Sequence, residues 1–387
     1  MFISKLIVRN WKNFTRFEVE LGETVFLIGP NASGKSNFLD IFRFMRDLVN
    51  PTGGGLQHAL NTRHGLNKIR CLAARQNPQV ELSFEFMESL RDQDPKAVPD
   101  WRYILGLNYD SRGKHRPMVV KEIVFRGKEK ILERPDDDDR NDRERLTVTC
   151  LEQVNMNRDF RDISGYFQDV LYLHLVPQLL KYGNELSPKK LDSDPFGQGF
   201  LDEIATTASK SRDSRLRRIQ KILRKVIPHF EELRFTKDDV GRPHLEMKYV
   251  HWRPNAGWQT EDQFSDGTLR LIAIIWTLLS NNSMILLEEP ELSLHEKIVE
   301  QIPMLIYNAK QSTRKIDGQI IISTHSEKLL SSKSIDASYL ILKPGMSGES
   351  TTIELPTDTD IAAMKAGLSP ADVLLPPTGT SIGDING

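Results

Sequence analysis

Gly29-Pro30-Asn31-Ala32-Ser33-Gly34-Lys35-Ser36 has the spacing G-x-x-x-x-G-K-S and stands between an apolar run, Val25–Ile28, and a helical pattern over Asn37–Leu48. A loop of this kind aims backbone N–H groups at phosphate oxygens, which requires glycine where a Cβ would block close approach and a helix N-terminus behind. Gly29 and Gly34 meet the first need, and Pro30, Asn31, Ala32, Ser33 and Asn37 complete the loop. Lys35 then lies against β- and γ-phosphates as a point charge, while the Ser36 hydroxyl ligates magnesium, so ATP with Mg2+ is the expected cofactor pair.

Far downstream, Met284-Ile285-Leu286-Leu287 reads as a parallel strand buried on both faces, with Glu288 and Glu289 at its C-terminal end. Glu288 is placed to hold the magnesium through water, and Glu289 to polarise the attacking water, because a base must lie within hydrogen-bond reach of its nucleophile. The plainer alternative is an acidic turn before Pro290. A third apolar strand, Gln319–Thr324, delivers His325 to the same carboxyl edge, either as a structural hydrogen-bonding group or, beside Lys35 and Glu289, as a γ-phosphate sensor. In Phe264-Ser265-Asp266-Gly267-Thr268-Leu269-Arg270, Ser265 or Asp266 could cap the apolar helix that follows.

The elements that must position these residues fall into unequal parts. Residues 1–151 are strand-rich, with Phe14–Leu21, Val80–Phe86, Tyr103–Tyr109 and Val119–Phe125 as strands and the acidic stretch Pro135–Asp142 as a solvated hairpin tip. Residues 152–270 hold a helical insertion leading to the Ser265 segment, with Leu216, Ile219, Leu223 and Val226 as one apolar stripe of a helix over Arg212–Ile227. From Leu233 strands return, at Leu245–Tyr249, Met284–Leu287, Gln319–Ser323 and Tyr339–Leu342, alternating with helices over Thr268–Ser280 and His295–Lys310 as a wound α/β sheet would, and residues 271–355 form the C-terminal lobe. A loosely held tail, 356–387, closes the chain. The expected class is α/β: a phosphate-loop ATPase head with a mixed, largely parallel core sheet, an N-terminal antiparallel β lobe and a helical insertion.

Composition narrows the setting. The 387 residues carry 52 Lys+Arg against 53 Asp+Glu, so nucleic-acid contact would need a local patch. The two cysteines, Cys71 and Cys150, form no metal-binding or disulfide pattern, which fits a cytoplasmic protein. The longest apolar run, Leu271–Leu279, is interrupted by Thr277 and too short to span a bilayer, so no membrane role is expected.

The order of the four segments resembles the ABC-type ATPases of the SMC/RecF/OLD-like (AAA_21-type) group, in particular stand-alone bacterial members sharing the Phe-Ser-Asp-Gly-Thr-Leu-Arg and Glu-Glu-Pro-Glu-Leu-Ser-Leu-His strings. The resemblance implies that Ser265 and Gly267 belong to a signature motif that contacts the γ-phosphate bound by a second subunit, making ATP the glue of a head-to-tail homodimer or higher oligomer. It further implies a D-loop around Glu291, Ser293 and His295, a switch role for His325, and Gln153 as the Q-loop glutamine at the metal. The Arg9–Phe14 turn is similar to the adenine-side segment of SMC and RecF heads, which makes Asn10 and Lys12 candidate base or ribose contacts; a basic surface turn is the alternative. Asp266 replaces the glycine of transporter signatures, Glu288 replaces the usual aspartate, and no nuclease-type acidic cluster of the TOPRIM kind follows His325.

By the same resemblance, the output lies in a separately encoded effector, such as a TOPRIM-like or other nuclease, with this chain as ATPase sensor or scaffold in an anti-phage system. The alternative is a RecF/SMC-like ATPase of DNA repair or maintenance that contacts duplex through the basic face of Arg212–Lys225. A solvated amphipathic helix would look the same in sequence.

Overall fold

Complete burial marks the centre of the molecule. The computed structural model describes residues 1–74, 78–90, 97–110, 116–186, 194–253, 257–280, 283–312, 318–332, 337–345 and 350–375. Its strands are β1 Phe2–Trp11, β2 Phe14–Glu20, β3 Thr24–Ile28, β4 Val80–Met87, β5 Trp101–Tyr109, β6 Pro117–Arg126, β7 Glu129–Arg134, β8 Val170–Leu173, β9 Phe230–Lys237, β10 Pro243–Tyr249, β11 Trp258–Thr260, β12 Met284–Glu288, β13 Gln319–Thr324, β14 Ser338–Pro344 and β15 Thr351–Glu354. Every residue of β3 and β13 is buried, as is β12 up to Glu288, which is what strands covered on both faces require.

These strands form a six-stranded sheet in the order β15-β14-β3-β13-β12-β8, parallel except where β15 runs against β14. Register places Glu288 beside Ser323 and Thr324 beside Ile28, so the chain leaves the sheet at Gly29, Glu289 and His325 along one edge. A second six-stranded sheet, β2-β1-β4-β5-β6-β7, is antiparallel throughout. The Lys35–Val49 helix fills the space between the sheets: Phe38 stacks on Phe17 at 5.5 Å and Phe42 meets Phe84 edge-on at 6.3 Å. The fold is thus the expected α/β type with an antiparallel lobe.

One buried amide fastens the two sheets. Gln319, at the start of β13, accepts from Ile3 N at 3.1 Å and from Tyr166 Oη at 3.0 Å, and donates to Ile3 O at 2.9 Å and Gly22 O at 2.8 Å. All four bonds reach segments remote in sequence.

Several elements differ from the sequence expectation. The four-residue apolar run of β8 lies inside the segment expected as helical insertion, yet it pairs with β12 in the core sheet; so short a run has no period that separates strand from helix. β9, β10 and β11 form their own antiparallel sheet, so Leu245–Tyr249 is no part of the wound alternation. The stretch Pro135–Asp142 is no hairpin tip: the β6–β7 turn is at Gly127, and Asp137–Asn141 is a helix started by a capping box from Asp136. Its Asp139 is fully buried, bonded twice at 2.8 Å to Arg134, which also reaches buried Glu122.

The expected single helix over His295–Lys310 is two, Glu296–Val299 and Ile302–Ser312, and Pro303 is tolerated because it falls in the first turn of the second. Beyond Leu355 the chain is ordered by capping boxes at Thr357 and Ser369, and Leu374 joins the core; the remainder of the expected tail, 376–387, lies outside the described residues. Among the described residues no helix is long and apolar enough to cross a membrane.

Gln319→Leu should lower stability by about 2–4 kcal/mol in chemical denaturation, because it strands the Ile3 backbone and the Tyr166 hydroxyl without partners. A change within experimental error would mean that water replaces the amide.

Candidate functional site

The loop after β3 is shaped by two close approaches. Gly34 has φ 98°, and a Cβ there would stand 2.1 Å from Asn13 Nδ2; a Cβ on Gly29 would stand 2.6 Å from Ser33 Oγ and 2.7 Å from Leu342 O. Lys35 is nearly buried, and its ammonium donates to Gly29 O at 2.8 Å and Pro30 O at 3.0 Å, curling over the mouth of the loop. Burial lowers the Lys35 pKa, while Glu289, Glu291 and Glu288 pull it upward.

Asn13 braces this loop from the side. Its Nδ2 donates to Thr351 Oγ1 at 2.7 Å and Ser33 O at 3.4 Å, its Oδ1 accepts from Asn37 Nδ2 at 2.8 Å, and Thr351 Oγ1 donates to Ser33 O at 3.0 Å. Asn13 lies in the same Arg9–Phe14 turn as the candidate contacts Asn10 and Lys12. Asn10 is instead spent on Gln79 O at 2.7 Å, and Lys12 on buried Asp40 at 2.7 Å, where Arg63 also forks onto the same carboxylate. The low-dielectric surroundings of Asp40 demand these countercharges.

Opposite Ser36 stands Glu288. The Ser36 hydroxyl donates to Glu288 Oε1, joining the two motifs directly, and the Tyr172 hydroxyl of β8 donates to Glu288 Oε2. Burial first, then the hydrogen bond to Glu288 and its charge, raises the Tyr172 pKa, so its proton stays available for donation. The Arg43 guanidinium lies 4.2 Å over the Tyr172 ring. Tyr172 was not foreseen because β8 was not.

Glu289 sits in a strained turn. Its φ is 45°, a left-handed value unusual for a side-chain-bearing residue, and it is held there by Glu289 N donating to Ser323 O at 3.1 Å and by Arg270 Nη2 donating to Glu289 O at 3.0 Å. The strain aims the carboxylate at His325, whose Nδ1 is 3.2 Å from Glu289 Oε1. Glu291 turns inward: one oxygen accepts from Thr324 Oγ1 at 2.6 Å, and the other is buried without a partner. Lys35, Ser36, Glu288, Glu289 and His325 therefore share one edge of the sheet.

Gln153 is elsewhere. Its amide donates to Thr149 O at 2.9 Å, and adjoining Glu152 accepts from Leu56 N at 2.9 Å, past the far end of the Lys35–Val49 helix. At 1.5 Å rise per residue that helix separates Gln153 from Lys35 by roughly 20 Å, so Gln153 cannot ligate a metal at Ser36 and Glu288. The end of β8, with Tyr172, holds the place beside Glu288.

Ser265 is the N-cap of the Asp266–Leu278 helix, its hydroxyl accepting from Thr268 N at 3.1 Å. A Cβ on Gly267 would stand 2.7 Å from Ser293 O, so the Ser265–Gly267 turn abuts the Glu291–His295 segment of the same chain. Just before it, nearly buried Glu261 accepts from Leu245 N at 2.9 Å and contacts His244 Nδ1 at 2.8 Å. Burial works against charge on His244, but Glu261 and Asp238 outweigh it and raise the imidazole pKa.

An ATP–magnesium complex fits this edge. The glycine cradle has no room for side chains, Ser33 Oγ and Glu291 Oε2 are buried without partners, and three carboxylates face one lysine. Ser36 and Glu288 are the residues that would hold Mg2+, a cation that takes few protein ligands and completes its shell with water and phosphate oxygens.

Comparison with known proteins agrees with the geometry. The AAA_21 family model, described as "AAA domain, putative AbiEii toxin, Type IV TA system", matches residues 25–331. The fold is similar to an SMC head bound to the C-terminal winged-helix domain of ScpA, with TM-score 0.55 and 14% identity over 93% of this chain and 100% of that one. It is similar also to a Pyrococcus furiosus Smc head with an extended coiled coil bound to the C-terminal domain of ScpA, with TM-score 0.51 and 12% identity over 94% and 98%. No curated protein matches the chain.

Gly34→Ala should weaken binding of a fluorescent ATP analogue by about tenfold or more, since the left-handed backbone alone costs roughly 1–2 kcal/mol and the Cβ displaces Asn13. Unchanged affinity would show that the loop does not cradle phosphate. For His244, a raised folded pKa means stability that is complete below about pH 6.5 and is lost as pH rises through the folded value. Thermal melts across that range should therefore fall with pH in the parent and flatten in His244→Gln; identical profiles would contradict the Glu261 contact.

Proposed function

The chain belongs to the AAA_21 family, and from that premise we propose that it is an ABC-type ATPase whose nucleotide site is completed head-to-tail by a second copy. The observation that carries this reading is the direct Ser36–Glu288 contact, which joins the two motifs on the edge that also holds Lys35, Glu289 and His325. Backbone N–H groups of 31–37 would receive the β- and γ-phosphates, with Lys35 as countercharge. Ser36 and Glu288 would hold Mg2+, which when bound supplies charge neutralisation across those phosphates.

Glu289 polarises the attacking water, and His325, at hydrogen-bond distance, orients Glu289 and senses the γ-phosphate. Ser265 and Gly267, at the N-terminal end of the Asp266–Leu278 helix, would meet the γ-phosphate of the other copy through backbone N–H groups and the helix dipole.

The biological output is a proposal of the same kind. The toxin–antitoxin term in the family description, together with the resemblance to stand-alone bacterial ATPases, supports a sensor or scaffold subunit of an anti-phage complex with a separately encoded effector, a nuclease by preference. Two buried free cysteines support action in the reducing cytoplasm. A second reading, direct DNA binding in repair or maintenance, rests on the Ser209–Val226 helix. Arg212 packs over Phe235, Arg215 over Trp276, and Arg224 donates to Glu231 O, but Arg217, Lys221 and Lys225 are exposed four residues apart on one face. Duplex binding that falls with salt and is lost in Arg217→Glu/Lys221→Glu would establish it, and equal binding by that variant would remove it.

Glu289→Gln should reduce ATP hydrolysis by about a hundredfold or more while retaining ATP, as loss of a general base does. Lys35→Ala should lose ATP binding itself. Undiminished turnover in Glu289→Gln would show that another group activates the water.

A further inference from the structure

The first residue of the signature helix is a carboxylate, which is electrostatically awkward for a surface meant to receive phosphate. Asp266 lies in the first turn at the positive end of the helix dipole, where a carboxylate stabilises the helix but repels an incoming anion. Beside it, Gly267 has no room for a side chain against Ser293 O. The structure answers with charge: Lys181 Nζ lies 2.8 Å from Asp266 Oδ1. Lys181 is 12% exposed against 43% for Asp266, so the lysine is held from behind while the carboxylate faces outward.

Lys181 arrives from the Pro177–Leu186 helix, which follows β8 and packs on the signature helix. A half-exposed pair of this kind contributes little to the stability of one chain. Its effect is larger where a second charged surface closes over it and removes water, since like charges brought together at an interface are strongly disfavoured.

Resting on the head-to-tail reading above, we propose that Lys181 is the charge-compensating positioning residue of the signature: it neutralises Asp266 so that the helix N-terminus can accept the γ-phosphate carried by a second copy. The pair thereby makes a carboxylate-bearing signature functionally equivalent to an uncharged one.

The test is a charge-rescue series in the Glu289→Gln chain, reading self-association by sedimentation with ATP and Mg2+. Lys181→Met should raise the apparent dimer dissociation constant by about tenfold or more, and Lys181→Arg should stay near the parent. Lys181→Met/Asp266→Asn should return to within about threefold of the parent, because the charge that needed cancelling is gone. Melting temperatures without ATP should differ little across the series. Unchanged association in Lys181→Met, or failure of Asp266→Asn to restore it, would overturn the proposal. Failure of the Glu289→Gln parent to associate with ATP is a separate outcome; it would remove the head-to-tail reading, and this proposal with it.

Discussion

Main-chain pairing among β3, β13 and β12 is the constraint on which the site depends. Their parallel register ends three buried strands together and releases Gly29, Glu289 and His325 on one edge. A shift of one residue would turn Glu288 to the other face of the sheet and separate it from Ser36, so the apolar burial that fixes register also fixes the chemistry. Gln319 secures the opposite edge, where two of its four bonds tie β13 to Ile3 of the antiparallel lobe and the others to Tyr166 and Gly22. Rigidity thus comes from the strands and reactivity from their ends.

Strain and charge are concentrated on that edge. Gly34 and Glu289 both occupy left-handed backbone, one permitted by the absent side chain and the other enforced by Ser323 and Arg270. The carboxylates of Glu288, Glu289 and Glu291 oppose the desolvation of Lys35, so the site is internally balanced yet keeps buried oxygen atoms without partners. Such an arrangement suits a ligand bearing both signs of charge, a polyphosphate with its cation.

Much of this was legible in the sequence because it depends on local pattern. The glycine-lysine loop, the apolar strand ending in Glu288 and Glu289, and the strand before His325 each declare themselves within ten residues. What failed was whatever depended on partners distant in sequence. Lys12 is a basic turn residue until Asp40 and Arg63 are seen around it, and Gln153 has no sequence signal that places it at the wrong end of a helix. β8 is four residues long, and only its pairing with β12 makes it a strand; Tyr172 was lost with it. Asn13 could have been found, since it lies in a turn already singled out, but its role needs Thr351 from the opposite end of the chain.

The account stands on a nucleotide site shared between two copies. Its most direct test is the solution mass, by light scattering, of Glu289→Gln with and without ATP and magnesium. The account predicts a monomer that becomes a dimer only when both are present. A mass unaffected by ATP, whether monomeric or already oligomeric, would contradict it and leave the site to be completed within one chain or by a different protein.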